Sequence, residues 1–199
     1  MIRLSRSCWA TGALLAAVAL SVTASAQGGL PHYTTADVDF MQGMIGHHAQ
    51  AVVMAGWAPT HGAREDVRIL AGRILVSQRD EIVSMRRWLT DNHEMVPDTT
   101  GHMAMHMGSG HDMLMPGMLT PEQMTQLDQA RGPEFDKLFL VFMIRHHQGA
   151  LTMVQQLFAS QGAAQNEQIF KFASDVGADQ TAEIDRMVTM LQTLAPSSQ

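Results

Sequence analysis

The chain has 199 residues, of which 46% are hydrophobic, and its formal net charge is −6. This length and composition suit one globular domain with a buried core. The 13 basic residues are outnumbered by 19 acidic ones, which argues against nucleic acid as a partner, because nucleic-acid binding needs clustered Lys and Arg.

The first 26 residues are predicted to be a cleaved signal peptide. Arg3 and Arg6 form a basic start, residues 10–22 are a short apolar run, and the Ala-Ser-Ala that ends the segment fits a small-x-small cleavage site. The apolar run is too short for a membrane span. We therefore expect residues 27–199 to form a single exported domain, periplasmic or secreted, without a stable membrane span. An uncleaved N-terminal anchor is the alternative.

Cleavage would also remove Cys8, which is the only cysteine, and two of the basic residues. The mature chain would then carry 11 basic and 19 acidic residues, a net charge of −8. An exported protein without cysteine has no disulfides. A site for a soft metal in such a protein must use the thioether of methionine in place of a thiolate.

After the leader, long segments with helical periodicity of apolar residues are separated by Gly and Pro. No stretch shows the alternation of apolar and polar residues that is typical of a strand. The first predicted helix begins after Thr34 or Thr35, which are residues suited to an N-cap, and ends near Trp57. The second covers about 63–91. The segment from Asn92 to Leu119 is rich in Gly, Met and His, and is predicted to be a long loop.

The second half opens with Thr120-Pro121-Glu122-Gln123, a capping box with Pro at the first helical position, which predicts a short helix to about Ala130. Gly132-Pro133 ends it, and a long helix follows to about Ser160. The last helix is predicted over about 166–194. The expected organisation is a first hairpin over about 35–91, a Met/His-rich loop over about 92–119 and a second hairpin over about 120–194.

The two halves repeat each other in sequence. Residues 40–48 recur ninety-nine positions later as residues 139–147, and Ala51 and Met54 match Ala150 and Met153. The second arms correspond with an offset of 102 positions: Gln78, Glu81, Ile82, Met85 and Leu89 match Gln180, Glu183, Ile184, Met187 and Leu191. Two duplicated hairpins predict an all-α protein, an antiparallel four-helix bundle. Chance similarity between amphipathic helices is the alternative.

Each copy carries a histidine pair at the same helical position, His47-His48 and His146-His147. Successive helical side chains lie about 100° apart, so the two histidines of a pair can flank an inward-facing methionine one turn earlier. On the opposite arms, Glu81 and Glu183 are candidates to accept the second N–H of a metal-bound imidazole. In the alternative interpretation, the histidines are core residues that the same Glu and Gln side chains satisfy without metal.

The loop provides further soft donors in a Gly-rich stretch that no helical face explains. A disordered low-complexity linker is the alternative there. By contrast, core packing is predicted for Met85, Met124, Met187 and Met190, because they recur at helical spacing. The predicted metal ligands are His47, His48, His146, His147, Met44, Met143, Met54, Met153, His102, Met103, Met105, His106, Met107, His111, Met113, Met115 and Met118.

These motifs resemble the ferritin-like domain-of-unknown-function 305 family, which includes the CopM-like exported copper proteins. The resemblance rests on residues 39–51, 78–89 and 135–150, and it covers roughly 32–192. It implies a ferritin-like four-helix bundle and, for the better understood members, periplasmic copper binding and copper resistance. The chain departs from the family pattern at Met190, where the counterpart of Trp88 is absent, so the resemblance leaves the role of Trp88 open.

Imidazole and thioether ligands favour Cu(I), with Cu(II) or Ag(I) as alternatives. We therefore expect a copper-binding protein of the periplasm that sequesters or transfers Cu(I), with another periplasmic copper carrier or exporter as a partner and no catalytic activity. One alternative is a ferritin-like di-iron oxidase or catalase-like enzyme, but such sites need Glu-x-x-His, which this sequence lacks. Another is a metal-free helical interaction module.

Overall fold

The computed structural model describes residues 33–98 and 114–194, and these residues contain five helices and no strand. The helices are α1 Thr35–Trp57, α2 Glu65–Asp91, α3 Pro121–Gln129, α4 Pro133–Ala159 and α5 Glu167–Leu194. All five were predicted, with ends that differ by two residues or fewer. The predicted signal peptide and residues 99–113 of the predicted loop lie outside the described residues.

Capping boxes begin the first and third helices. At the start of α1, the Asp37 amide donates to the Thr34 hydroxyl and the Asp37 carboxylate accepts from the Thr34 amide at 2.7 Å. At the start of α3, Thr120 and Gln123 exchange the same pair of bonds, as the sequence predicted. Each box satisfies amide groups that a helix start would leave without a partner.

The helices form two hairpins, α1 with α2 and α4 with α5, and the hairpins meet through α1 and α4. Two equivalent carboxylates tie them together. Asp37 accepts from the Ala164 amide in the α4–α5 link at 2.7 Å, and Asp136 accepts from the Arg64 amide in the α1–α2 link at 3.1 Å. The start of each inner helix therefore lies at the end of the other, so α1 and α4 are antiparallel.

Two apolar clusters fill the interior. The Phe139 cluster includes Ala51, Met54, Ile74, Phe139, Met143 and Met187. The Met41 cluster includes Met41, Met44, Met85, Ala150 and Met153. Along α1 and along α4 the histidine pairs come between the residues of the two clusters. None of the helices in the described residues is long and apolar enough to cross a membrane.

Candidate metal centre

The four paired histidines are buried in the interface between α1 and α4. His47, His48, His146 and His147 are each 0% exposed. The rings of His47 and His146, one from each copy, lie with their centroids 3.8 Å apart. The antiparallel packing of α1 against α4 thus brings together two residues that are ninety-nine positions apart in the chain.

The outer histidine of each pair is held by a glutamate of the neighbouring helix. His48 Nε2 lies 2.5 Å from a carboxylate oxygen of Glu81, and His147 Nε2 lies 2.6 Å from one of Glu183. A carboxylate accepts, so Nε2 of each of these rings carries a proton. These contacts agree with the predicted role of the two glutamates as partners of the second ring nitrogen.

The inner histidines donate to backbone carbonyls. His47 Nε2 donates to the carbonyl of Pro116 and His146 Nε2 donates to the carbonyl of His47, both at 3.0 Å. A carbonyl oxygen has no proton to give, so these bonds also assign the ring proton to Nε2. In all four rings Nε2 therefore carries a proton, and Nδ1 is the nitrogen with a lone pair whenever the ring is neutral.

The Nδ1 atoms of the four rings are buried and have no hydrogen-bond partner in the described part of the chain. Buried polar atoms in native proteins are paired with very few exceptions, so four orphans in one place call for an explanation. A neutral imidazole whose Nε2–H is anchored and whose Nδ1 lone pair is free is the arrangement of a metal ligand. These histidines therefore fit a metal centre.

Burial keeps the inner rings neutral. Burial, reinforced by the neighbouring His48, lowers the pKa of His47 to about 3. The pKa of His146 is also well below its usual value, because of burial first and of the adjacent His47 second. A metal ion that binds these rings near neutral pH does not have to displace a proton.

The predicted helical methionines divide between the two apolar clusters. Met44 and Met153 belong to the Met41 cluster, while Met54 and Met143 belong to the Phe139 cluster. Each group combines one thioether of the first copy with one of the second, because α1 and α4 are antiparallel. The histidines thus have a group of thioethers on either side along the helices. Met85 and Met187 are fully buried in these clusters, as predicted for core residues.

Histidine and acidic side chains alone do not complete a site. Within residues 33–98 and 114–194, no three His, Cys, Asp or Glu side chains are grouped so that they could hold a metal ion. A centre that uses these histidines must therefore draw on other donors. Thioethers are the other metal donors that the sequence predicted near the histidines, and they suit soft ions.

The segment just before α3 is packed onto the histidine centre. The amide and carbonyl of Leu119 bond to the side chain of Gln50 at 2.7 and 3.0 Å. A Cβ on Gly149 would lie 1.9 Å from the Pro116 carbonyl oxygen, so only glycine permits this approach of the segment to α4. Gln50 and Gly149 thereby hold the carbonyl that accepts from His47.

The last residues of the predicted loop, 114–119, form no helix or strand, as predicted, but they pack against the helices. Met118 is 6% exposed and Met115 packs against the Met41 cluster, so both belong to the folded part. Their role as ligands stays a prediction. The other seven predicted loop ligands lie outside the described residues: His102, Met103, Met105, His106, Met107, His111 and Met113.

An acidic cleft lies between α2 and α5. Asp80, Glu81, Asp175 and Asp179 line it. Glu81 both borders this cleft and bonds His48. Burial, with the nearby charges of Glu81 and Glu183, raises the pKa of Asp179. A cation that approaches the histidines from this side meets a negative potential.

Three residues that support the centre were not predicted from the sequence. Gln50, Pro116 and Gly149 position His47 through contacts that no local pattern shows. Gln78 and Gln180 are buried, and their side-chain amides have no partner in the described part of the chain. The duplicated arms had identified both glutamines, but in the described residues neither bonds a histidine, as the metal-free interpretation would have required of them.

His61 is buried for a different reason. Its Nε2 lies 2.8 Å from the carbonyl of Asp128, and its Nδ1 lies 3.0 Å from the Thr60 hydroxyl. Both ring nitrogens are thus bonded, and the ring stacks on Trp57. This histidine fastens the α1–α2 link to the end of α3 and is not a candidate ligand.

Comparison with known proteins identifies the family. The family model of a domain of unknown function, DUF305, matches residues 37–191. A DUF305 protein of Streptomyces coelicolor, described as a candidate secreted protein, is 26% identical, with a TM-score of 0.67, over 80% of this chain and 92% of that one. A DUF305 fragment of Deinococcus radiodurans is 26% identical, with a TM-score of 0.67, over 81% of this chain and 98% of that one.

CopM in its Cu(II)-bound form is 28% identical, with a TM-score of 0.64, over 80% of this chain and 97% of that one. CopM has also been solved in Cu(I)-bound, Ag-bound and apo forms. No curated protein matches the chain. The family model covers more than half of the sequence, and the all-helical fold is that of the solved DUF305 structures. The chain belongs to the DUF305 family.

Proposed function

We propose that this protein binds copper ions outside the cytoplasm and sequesters or transfers them, with Cu(I) as the favoured form. The observation that carries the proposal is the set of four buried histidines with anchored Nε2 atoms and unpartnered Nδ1 atoms. The thioethers on either side of them would complete the coordination. Neutral imidazole and thioether are ligands that suit Cu(I), whereas carboxylate-rich sites suit harder ions.

The similarity to CopM supports copper as the metal. CopM has been solved with Cu(I), Cu(II) and Ag bound, and its structures are 25–28% identical to this chain. By this argument Cu(II) and Ag(I) are the alternative ions for the site. Another periplasmic copper carrier or an exporter is the partner that a transfer role would require.

We also propose a finer architecture, a single ferritin-like domain over residues 27–199. In it the two hairpins form an antiparallel four-helix bundle, and the likeness to DUF305 structures supports this arrangement. Export to the periplasm follows from the predicted leader, and it agrees with the description of the Streptomyces coelicolor relative. In this compartment, thioethers have an advantage over thiols, because they do not form disulfides.

We propose that this protein has no catalytic activity. A ferritin-like di-iron site draws a carboxylate from each of its four helices. Here the two repeated carboxylates, Glu81 and Glu183, each bond a histidine ring nitrogen. That arrangement supports a binding role for the centre over the di-iron alternative.

Replacing His47, His48, His146 and His147 together by glutamine tests the proposal. Glutamine keeps a polar side chain but removes imidazole ligation, so the variant should stay folded and lose at least one bound copper per chain. Copper content and Cu(I) affinity are measured against a chromophoric competitor, and circular dichroism reports the fold. His61→Gln is the matched control, since that buried ring is fully bonded, and it should keep all its copper. Unchanged copper content and affinity in the quadruple variant would refute the proposed centre.

A further inference from the structure

Two buried glutamines have side-chain amides with no hydrogen-bond partner in the described part of the chain. Gln78 on α2 and Gln180 on α5 are each 2% exposed, and neither the nitrogen nor the oxygen of either amide is bonded. Leaving an amide buried and unpaired costs free energy, and native proteins seldom do so. The same defect occurs at two positions that the duplication makes equivalent, so it has a common cause in both halves.

Packing alone does not account for these two amides. Gln50 is buried to the same extent, 2% exposed, yet both of its amide atoms bond the backbone of Leu119. A glutamine with a structural role in this interior is therefore fully satisfied. Gln78 and Gln180 lack such partners in the described part of the chain, so their amides are free to bind a ligand.

Each glutamine lies one helical turn from the glutamate that bonds an outer histidine. Gln78 precedes Glu81 by three residues on α2, and residues at that spacing share a helix face about one turn apart. Glu81 bonds Nε2 of His48, whose Nδ1 is also unpartnered. Gln180, Glu183 and His147 repeat this arrangement in the other half.

We propose that each half of the protein holds one copper position in which the amide oxygen of Gln78, or of Gln180, is a ligand beside the Nδ1 of His48, or of His147. This inference rests on the proposed function and deepens it. An amide oxygen is a harder donor than a thioether, and copper is harder as Cu(II) than as Cu(I). The two glutamines therefore allow the centre to retain Cu(II) as well as Cu(I).

The variants Gln78→Leu and Gln180→Leu, singly and together, test this role. Leucine removes the oxygen donor, so the Cu(II) affinity of each altered half should fall at least about tenfold, while the Cu(I) affinity stays within about threefold of the wild type. Cu(II) and Cu(I) affinities are measured separately against competitors, and the electron paramagnetic resonance spectrum of bound Cu(II) should change. Gln148→Leu, at an exposed position beside His147, is the control and should change none of these quantities.

Gln78→Glu tests the same role by strengthening the oxygen donor instead of removing it. It keeps the inference testable if the leucine variants do not fold. A carboxylate at this position is an anionic oxygen donor, so it should raise the Cu(II) affinity. Without metal the buried charge should lower the melting temperature, and Cu(II) should restore it. Destabilisation that Cu(II) does not relieve would overturn the inference.

The leucine variants distinguish copper from water as the bound species. If both amides are satisfied by buried water only, the double leucine variant should melt at a higher temperature and keep its Cu(I) and Cu(II) affinities, which overturns the inference. In that case the wild type still binds copper, and the quadruple histidine variant still loses it. Wild-type protein that binds no copper would instead refute the proposed function, and this inference with it.

Discussion

The ring nitrogens of the paired histidines have different roles. Each Nε2 is bonded, to the Pro116 or His47 carbonyl for the inner pair and to Glu81 or Glu183 for the outer pair. Each Nδ1 is left with a lone pair inside the protein. Because these partners hold the ring proton on Nε2, the nitrogen that each ring can offer to a metal is Nδ1.

Burial of His47 predicts a pH dependence of stability without metal. The folded pKa of about 3 lies below the unfolded value of 6.5, so between these values only the unfolded chain takes up the proton. The contribution of His47 to the free energy of unfolding should therefore be complete above about pH 6.5 and be lost as the pH falls towards 3. Urea unfolding of the wild type and of His47→Gln across this range measures it. Parallel profiles for the two proteins would contradict the prediction.

At the scale of elements, the segment over residues 115–119 behaves as part of the bundle. It crosses α4 at Gly149, bonds Gln50 on α1, and its Pro116 carbonyl accepts a hydrogen bond from Nε2 of His47. The duplication does not reproduce this contact, because Gln50 stands where the second copy has Gly149. The segment therefore breaks the symmetry between the inner histidines.

Gly149→Ala should displace this segment. The added methyl group would collide with the Pro116 carbonyl, and overpacking of this kind costs roughly 1–3 kcal/mol of stability. The loss of the carbonyl should also shift the ring-nitrogen signals of His47 in NMR spectra. Gly72→Ala is the control, since a Cβ there meets nothing within 4 Å. That change should stabilise α2 by up to about 1 kcal/mol. Equal effects of the two substitutions would argue against a packed segment.

The predicted Met/His-rich loop can be tested apart from the packed segment. Replacing residues 101–113 by a Gly-Ser linker of equal length should lower the copper content while the helical content stays unchanged, because the predicted ligands there have no packing period. Extending the replacement to Met118 should also lower the melting temperature, because Met118 is buried and Pro116 bonds His47. Circular dichroism and copper analysis check both expectations. Loss of the fold with the shorter replacement would mean that the loop is structural.

At the scale of the whole molecule, two antiparallel hairpins combine thioethers from both copies on either side of the histidines. Met44 lies in the same cluster as Met153, and Met143 in the same cluster as Met54. The donors therefore belong to the assembled protein and not to either hairpin alone. A separated hairpin would have one histidine pair and would lack its partner's methionines.

This donor set predicts the order of metal affinities. The protein should bind Cu(I) more tightly than Zn(II) or Fe(II), because thioethers bind soft ions in preference to harder ones. Competition between the three ions under reducing conditions, followed by metal analysis, measures the order. Equal retention of iron, together with oxidase turnover, would favour the enzyme alternative.

The sequence by itself determined the helices, the duplication and the inward direction of the paired histidines. Helical period, the Thr120 capping box and the Pro and Gly breaks are local properties, so the five helices could be predicted to within two residues. The inward stripe of Met44, His47 and His48 also follows from helical geometry, and all three residues are buried.

The tertiary structure decided which residues meet. Antiparallel packing of α1 on α4 brought the ring of His47 against that of His146, and the segment before α3 supplied the carbonyl of Pro116. A backbone carbonyl that accepts a hydrogen bond cannot be identified from the sequence, because every residue has such a carbonyl. The unpartnered amides of Gln78 and Gln180 likewise depend on the tertiary structure. Whether a buried amide finds a hydrogen-bond partner is decided by the packing of all the helices around it.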